Sequence, residues 1–261
     1  MDRFLLGDGS SGWVMTAVIS LHDLTLGYDR HPAVHHLDIT IEAGTLTAVV
    51  GPNGSGKSTL LKGVMGGLAP LSGQIDMPSL SPRDIAYLPQ QSEIDRSFPL
   101  SVEDLVGMGL WREVGAWRGL SRSHRARITS ALSAVGLEGF RTRTIGSLSG
   151  GQMQRVLFAR LLLQEADVLL LDEPFTAIDA RTVEDLLGII HRWHGEGRTV
   201  IAVLHDFDIV KTHFPQTLML AREPVAFGET ETVLTAANQL RARSMSEAPD
   251  PQAGVCQRRT A

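Results

Sequence analysis

Gly51-Pro52-Asn53-Gly54-Ser55-Gly56-Lys57-Ser58 stands between an apolar run, Leu46 to Val50, and a stretch in which Leu60, Leu61, Val64 and Met65 recur on one helical stripe. Strand, glycine-rich loop and helix in that order form the setting in which Gly-x-x-x-x-Gly-Lys-Ser cradles phosphate. The glycines let successive backbone N–H groups turn inward, toward the positive end of the following helix. On this reading the cradle runs from Gly51 to Thr59, Lys57 reaches the outer phosphates, and the Ser58 hydroxyl serves Mg²⁺. An ordinary glycine turn would need neither the lysine nor the serine. Gly66-Gly67 and Pro70 then stop the helix.

A partner for this loop lies downstream. Val168-Leu-Leu-Leu-Asp172-Glu173 has four apolar residues in a row, each worth about 1.5–3 kcal/mol when buried. Such a strand fixes Asp172 at its carboxyl end, where it can hold Mg²⁺ directly or through water. Glu173 then orients or deprotonates the attacking water. Around this strand helix and strand alternate: 150–164, 168–171, 181–194 and 199–204. That alternation predicts a parallel sheet covered on both faces.

Elsewhere the pattern differs. Val18 to Leu21 and Leu37 to Ile41 are short β-rich pieces between turn signals, which predict an N-terminal antiparallel β region. From Ser101 to about Gly146 the text is helical. Ser101-Val-Glu-Asp104 has the form of a capping box, and a second helix runs from about Ser123 to Val135 before Gly136. The expected architecture is an α/β P-loop NTPase core with a parallel sheet, an antiparallel β subdomain, and an α-helical subdomain inserted over about 91–147. The domain is expected over 16–240, with a disordered leader at 1–15 and a disordered tail at 241–261.

The chain has 261 residues, 43% of them hydrophobic and 20% charged, which suits one generous domain. No apolar stretch approaches the ~20 residues of a membrane-crossing helix. A membrane role would therefore need a membrane part from another chain. The net charge of −5 argues against a nucleic-acid partner. A lone cysteine, Cys256, cannot form an internal disulfide, which fits a reducing cytosol.

Leu148-Ser149-Gly150-Gly151-Gln152 carries the remaining information. Locally it is a helix start, with Ser149 as N-cap and Gln152 closing a capping box. That leaves unexplained two glycines in the first turn, each weakening the helix by up to ~1 kcal/mol relative to alanine. Bare backbone there suits close approach by a phosphate. Taken together, the motifs resemble the nucleotide-binding subunits of ABC transporters over about Val18 to Leu234, with Leu148 to Gln152 matching their signature.

The resemblance implies an ATPase in which two subunits pack head to tail. Ser149, Gly150, Gly151 and Gln152 of each would complete the ATP site of the other. It also implies that Tyr28 stacks on adenine and that Gln90 senses Mg²⁺ and couples to membrane subunits. Asp179 would contact the partner, and His205 would contact the γ-phosphate. The implied cofactors are ATP and Mg²⁺. The implied partners are a second copy, integral permease subunits and, indirectly, an extracytoplasmic metal-binding protein, at the cytoplasmic face of the inner membrane.

Within the family, the stretch from Tyr87 to Leu105 resembles the ATPases of zinc and manganese importers. Phe175-Thr-Ala-Ile-Asp179 does so too. Zinc is the first expectation, manganese the second and an iron importer the third. His31, His35 and His36 cluster, and His191 and His194 share a helical face, but neither set brings carboxylate or cysteine support for a metal. Trp111 and Trp117 are expected mainly to pack within the insert, with docking of a membrane subunit as the alternative. Chromosome- and DNA-repair ATPases share these motifs but need a long coiled coil, and only about 90 residues separate loop and signature here. Translation factors of the superfamily carry two such domains. An exporter would differ mostly in 90–105.

Overall fold

A computed structural model describes residues 17–29, 31–115 and 119–246. In chain order the elements are β1 (Ala17–Tyr28), β2 (His31–Glu42), β3 (Leu46–Val50), α1 (Lys57–Val64), β4 (Ser72–Asp76) and β5 (Ile85–Leu88). The insert contributes α2 (Val102–Gly107), α3 (Trp111–Val114) and α4 (Arg122–Ala134). Then follow α5 (Gly150–Gln164), β6 (Val168–Asp172), α6 (Ala180–Gly195), β7 (Thr199–Val203) and α7 (Phe207–His213). The chain closes with β8 (Gln216–Ala221), β9 (Glu223–Glu229), α8 (Thr230–Val233) and α9 (Ala236–Ser246).

Period-two alternation explains the layers. In β6, Val168 and Leu170 face one apolar cluster while Leu169 and Leu171 face another, and β7 divides its Ile201/Val203 and Val200/Ala202 pairs the same way. A strand apolar on both faces must lie in mid-protein. The six-stranded sheet has the order β5-β6-β7-β3-β8-β9, parallel except for the edge strand β9. One face carries α1 and the three-stranded antiparallel sheet β2-β1-β4. The other carries α5, α6 and the insert, where Phe158 stacks on Trp193 at 5.6 Å between centroids.

Most of the expected elements stand. The Ser101 box is present, and Ser149 and Gln152 form theirs. The expected short N-terminal pieces are instead two 12-residue strands. Asp23 (φ 47°) and His36 (φ 46°) adopt left-handed backbone there, and the register shifts that accompany them break the apolar alternation. The first residues of the expected tail, 241–246, are helical instead: α9 continues to Ser246 with Ala242 buried and Met245 packed on the core, and the rest of the tail lies outside the described residues. Met65 caps α1 with 37% exposure and leaves the buried stripe to Leu60, Leu61 and Val64. Trp111 does not pack inside the insert: it is 60% exposed. Trp117, the leader and Cys256 lie outside the described residues.

Among the described residues no helix is long and apolar enough to cross a membrane. Nor do three His, Cys, Asp or Glu side chains gather to hold a metal. His36 pairs with Asp23 at 2.6 Å, and the His191 ring faces His213 at 5.1 Å.

Candidate functional site

Parallel strands end together, so the loops after β3, β5, β6 and β7 converge on one edge of the sheet, where open α/β proteins bind ligands. Here they enclose a cleft of about 690 Å³ lined by Asn53 to Thr59, Ala33, Gln90, Glu173, Thr176 and His205. Gly51, at the end of β3, has φ 152°, and a Cβ there would lie 1.9 Å from the Leu220 carbonyl oxygen. Only glycine can open this loop. Lys57 Nζ donates to the Gly51 and Pro52 carbonyls at 3.0 and 2.9 Å, so the ammonium sits within the loop. Burial pulls its pKa down, against the fields of Glu173 and Asp172. Ser55 Oγ is buried with no partner among the described residues.

At the end of β6, Asp172 is fully buried. Its Oδ1 accepts from Ser58 Oγ at 3.0 Å and its Oδ2 from the Tyr87 hydroxyl at 3.2 Å. Burial raises the carboxyl pKa, while the bonds from Ser58, Gln90 and Tyr87 favour the ionised form. Burial likewise pushes the Tyr87 phenol well up, with the Asp172 charge beside it, so that Tyr87 remains a donor.

Glu173 adopts left-handed backbone, φ 50°, which turns its side chain back over the sheet edge. Its Oε1 lies 2.8 Å from His205 Nε2 and 3.0 Å from Gln90 Nε2, and its Oε2 accepts from Thr176 Oγ1 at 3.1 Å. Burial works against the charge, yet the bonds from His205 and Thr176 and the nearby Lys57 hold this carboxyl below the usual glutamate range. It is therefore ionised at neutral pH, with its charged carboxylate facing the cleft. Gln90 also donates to Ser58 Oγ at 3.1 Å, which ties β5 to the loop.

Not every expected residue joins the cleft. Tyr28, 49% exposed, stands at the end of β1 and does not line it. Ser149, Gly150, Gly151 and Gln152 lie at the start of α5 and do not line it either. Asp179 caps α6, with Oδ1 accepting from Thr182 N at 2.9 Å and Oδ2 from Thr182 Oγ1 at 2.8 Å. Contributors not singled out from the sequence include Tyr87 and Thr176. Tyr87 stands three residues before Gln90 in β5, a strand too short to show a pattern. Thr176 follows Glu173 by three, a turn spacing that could have signalled it.

The loop, the paired acids and the basic ring set over one cleft define a nucleotide-hydrolysing site of the P-loop class. Comparison with known proteins specifies the class further. A family model described as ABC transporter matches residues 34–176. The manganese transport system ATP-binding protein MntB of Listeria monocytogenes is 38% identical over 83% of this chain and 92% of its own. The zinc transport system ATP-binding protein TroB of Treponema pallidum is 38% identical over 83% of each. An ABC transporter solved in an inward-facing conformation aligns with TM-score 0.76 and 30% identity over 87% of this chain and 88% of that one. An ATP-binding cassette solved as a post-hydrolysis dimer with ADP and Pi aligns with TM-score 0.71 and 25% identity, over 81% and 98%. The chain belongs to the ATP-binding subunits of ABC transporters, and it is an ATPase of that family.

Proposed function

We propose that this subunit energises the import of a divalent metal across the inner membrane, with zinc as the first cargo to test and manganese as the second. The observation that carries the reading is the 38% identity, over 83% of the chain, to relatives named for manganese and for zinc. It acts as a homodimer at the cytoplasmic face, bound to permease subunits that receive metal from an extracytoplasmic binding protein. Exposed Phe98, Met108 and Trp111, all from the helical insert, offer apolar anchors for the permease.

In the proposed mechanism ATP lies along the loop, its outer phosphates on Lys57 and the inward N–H groups, with adenine on Tyr28. The Ser58 hydroxyl and the Asp172 carboxylate, 3.0 Å apart, are oxygen donors of the kind magnesium takes, and Gln90, whose Nε2 lies 3.1 and 3.5 Å from them, would offer its Oε1 once the amide turned over. When bound there, Mg²⁺ neutralises phosphate charge. Glu173 Oε1 takes the proton of the attacking water while His205, hydrogen-bonded to the same oxygen, orients it and faces the γ-phosphate. The water oxygen bonds to phosphorus, and the bond to the bridging oxygen breaks to leave ADP. Ser149 and Gly151 of the second copy close over the nucleotide, and Asp179 lies at the contact. Loss of the γ-phosphate then frees the two subunits.

Two measurements test this. A strain lacking the gene, starved with chelator, should regrow on added zinc alone; regrowth on manganese alone would move the cargo to manganese, and unimpaired growth without either would remove metal import. For the site, Tyr87→Phe removes the donor to Asp172 Oδ2 without altering the cleft wall. The Mg²⁺ concentration for half-maximal hydrolysis should rise about three- to tenfold, as expected for one bond to a charged group. Affinity for ATP without Mg²⁺ should stay unchanged. An unchanged Mg²⁺ requirement would dissociate Tyr87 from this role.

A further inference from the structure

Gln90 and Gln91 are adjacent, yet their side chains serve different places. Gln90 reaches Ser58, Asp172 and Glu173 in the cleft. Gln91 turns the other way, and its Nε2 donates to the Gly150 carbonyl at 3.0 Å and to Gln154 Oε1 at 2.8 Å. The end of β5 is pinned to α5 a second time, where half-buried Arg160 donates to the Tyr87 carbonyl at 2.8 Å. Arg96 adds a bond from the same connection to the Leu148 carbonyl.

Gln154 is 1% exposed, and its Nε2 has no partner among the described residues. A buried amide donor left unpaired is costly, and the geometry offers a remedy. If both amides turn over, Gln154 Nε2 donates to Gln91 Oε1, and Gly150 loses its second bond. The held arrangement leaves Gln154 Nε2 unpaired and the turned one sets Gln91 Oε1 against the Gly150 carbonyl, so each has its cost and the amide pair has two arrangements, one holding the signature turn and one releasing it.

The held arrangement is the active one for an electronic reason. The Gly150 carbonyl and the Gly151 N–H belong to one peptide unit. A donor on that carbonyl polarises the unit and strengthens the N–H as a donor to phosphate. We propose that Gln91 is a positioning residue which, through Gly150, readies the signature for the partner's nucleotide, and that Gln154 competes for it. The single peptide link to Gln90 makes the occupancy of one subunit's own cleft felt at the surface it presents to the other. This rests on the head-to-tail dimer proposed above.

The test uses the full chain carrying Glu173→Gln, with dimer formation followed by sedimentation across an ATP titration. Gln91→Met should raise the ATP concentration for half-dimerisation about tenfold, since each dimer loses the bond twice. Gln154→Met keeps the volume, removes the competitor and should lower that concentration about threefold. Affinity for ADP, which reports the single subunit's own cleft, should stay within about twofold in both. A loss confined to packing would move both variants upward or weaken ADP as well, and either result overturns the proposal. So does an unchanged midpoint in both. If Gln91→Met does not fold, the downward shift in Gln154→Met decides alone. A Glu173→Gln parent that stays monomeric at saturating ATP would overturn the dimer reading and this proposal together, whereas a dimerising parent with unshifted variants overturns this proposal only.

Discussion

Glu173→Gln should lower ATP hydrolysis by about a thousandfold, the scale of a lost general base, while ATP drives the subunit into a long-lived dimer. The geometry sets both halves of this result. Oε1 of Glu173 is held by His205 at 2.8 Å and Gln90 at 3.0 Å, and Oε2 by Thr176 at 3.1 Å. The substitution preserves shape and the left-handed φ of 50°, so the loop need not refold. It replaces a carboxylate, which can take a proton, by an amide, which cannot. It also removes a negative charge from beside the incoming γ-phosphate, so binding should persist or tighten. Turnover of purified protein and sedimentation with ATP measure the two parts. Near-normal turnover would take Glu173 out of the base role, and slow turnover without dimers would separate catalysis from assembly.

Gly56→Ala should abolish nucleotide binding and lower stability by roughly 2–4 kcal/mol. Gly56 has φ 94°, a region that L side chains enter at a cost of order 1–3 kcal/mol. Its added Cβ would lie 2.4 Å from the Ala33 carbonyl oxygen and 2.5 Å from Val34 Cγ2. Both obstacles belong to β2, anchored in the antiparallel sheet, so relief requires moving the loop. Gly66 gives the control. It has φ 81° but no atom within 4 Å of an added Cβ, so Gly66→Ala should incur about 1 kcal/mol of strain and still bind ATP. Urea unfolding and nucleotide titration of the pair separate strain from collision. Equal losses in both would mean that collision with β2 matters little.

The contrast between what the sequence reveals and what it hides follows from how locally each feature is encoded. Val168 to Asp172 is apolar without interruption because both of its faces are buried, so its place in the sheet is legible from the chain alone. The Ser149 and Ser101 caps are local devices and read equally well. β5 was invisible for the opposite reason: four residues beside a proline acquire strand geometry only from β6. The long β1–β2 hairpin was read in fragments, since Asp23 and His36 interrupt the alternation that would have joined it. Lys57, Ser58, Asp172 and Glu173 were legible as chemistry. The hydroxyl of Tyr87 on Asp172 was not, because a cross-strand contact from β5 to the end of β6 leaves no trace in spacing. The residues of the signature turn stand away from the cleft in the single chain.

The segment from Glu173 to Asp179 has a kinetic implication. Its two left-handed residues, Glu173 and Ala177, the Thr176 bond and the double grip of Asp179 on Thr182 fix its shape within one subunit. Ordering a residue takes roughly 1–2 kcal/mol of chain entropy, and here folding has already absorbed it. Two subunits can then meet as finished surfaces, with association on the order of 10⁵–10⁷ M⁻¹s⁻¹ rather than delayed by loop rearrangement. On the proposed mechanism the duration of each closed pair is left to the chemistry at Glu173, so the same short turn that would carry the base would also let hydrolysis act as the clock of the transport cycle.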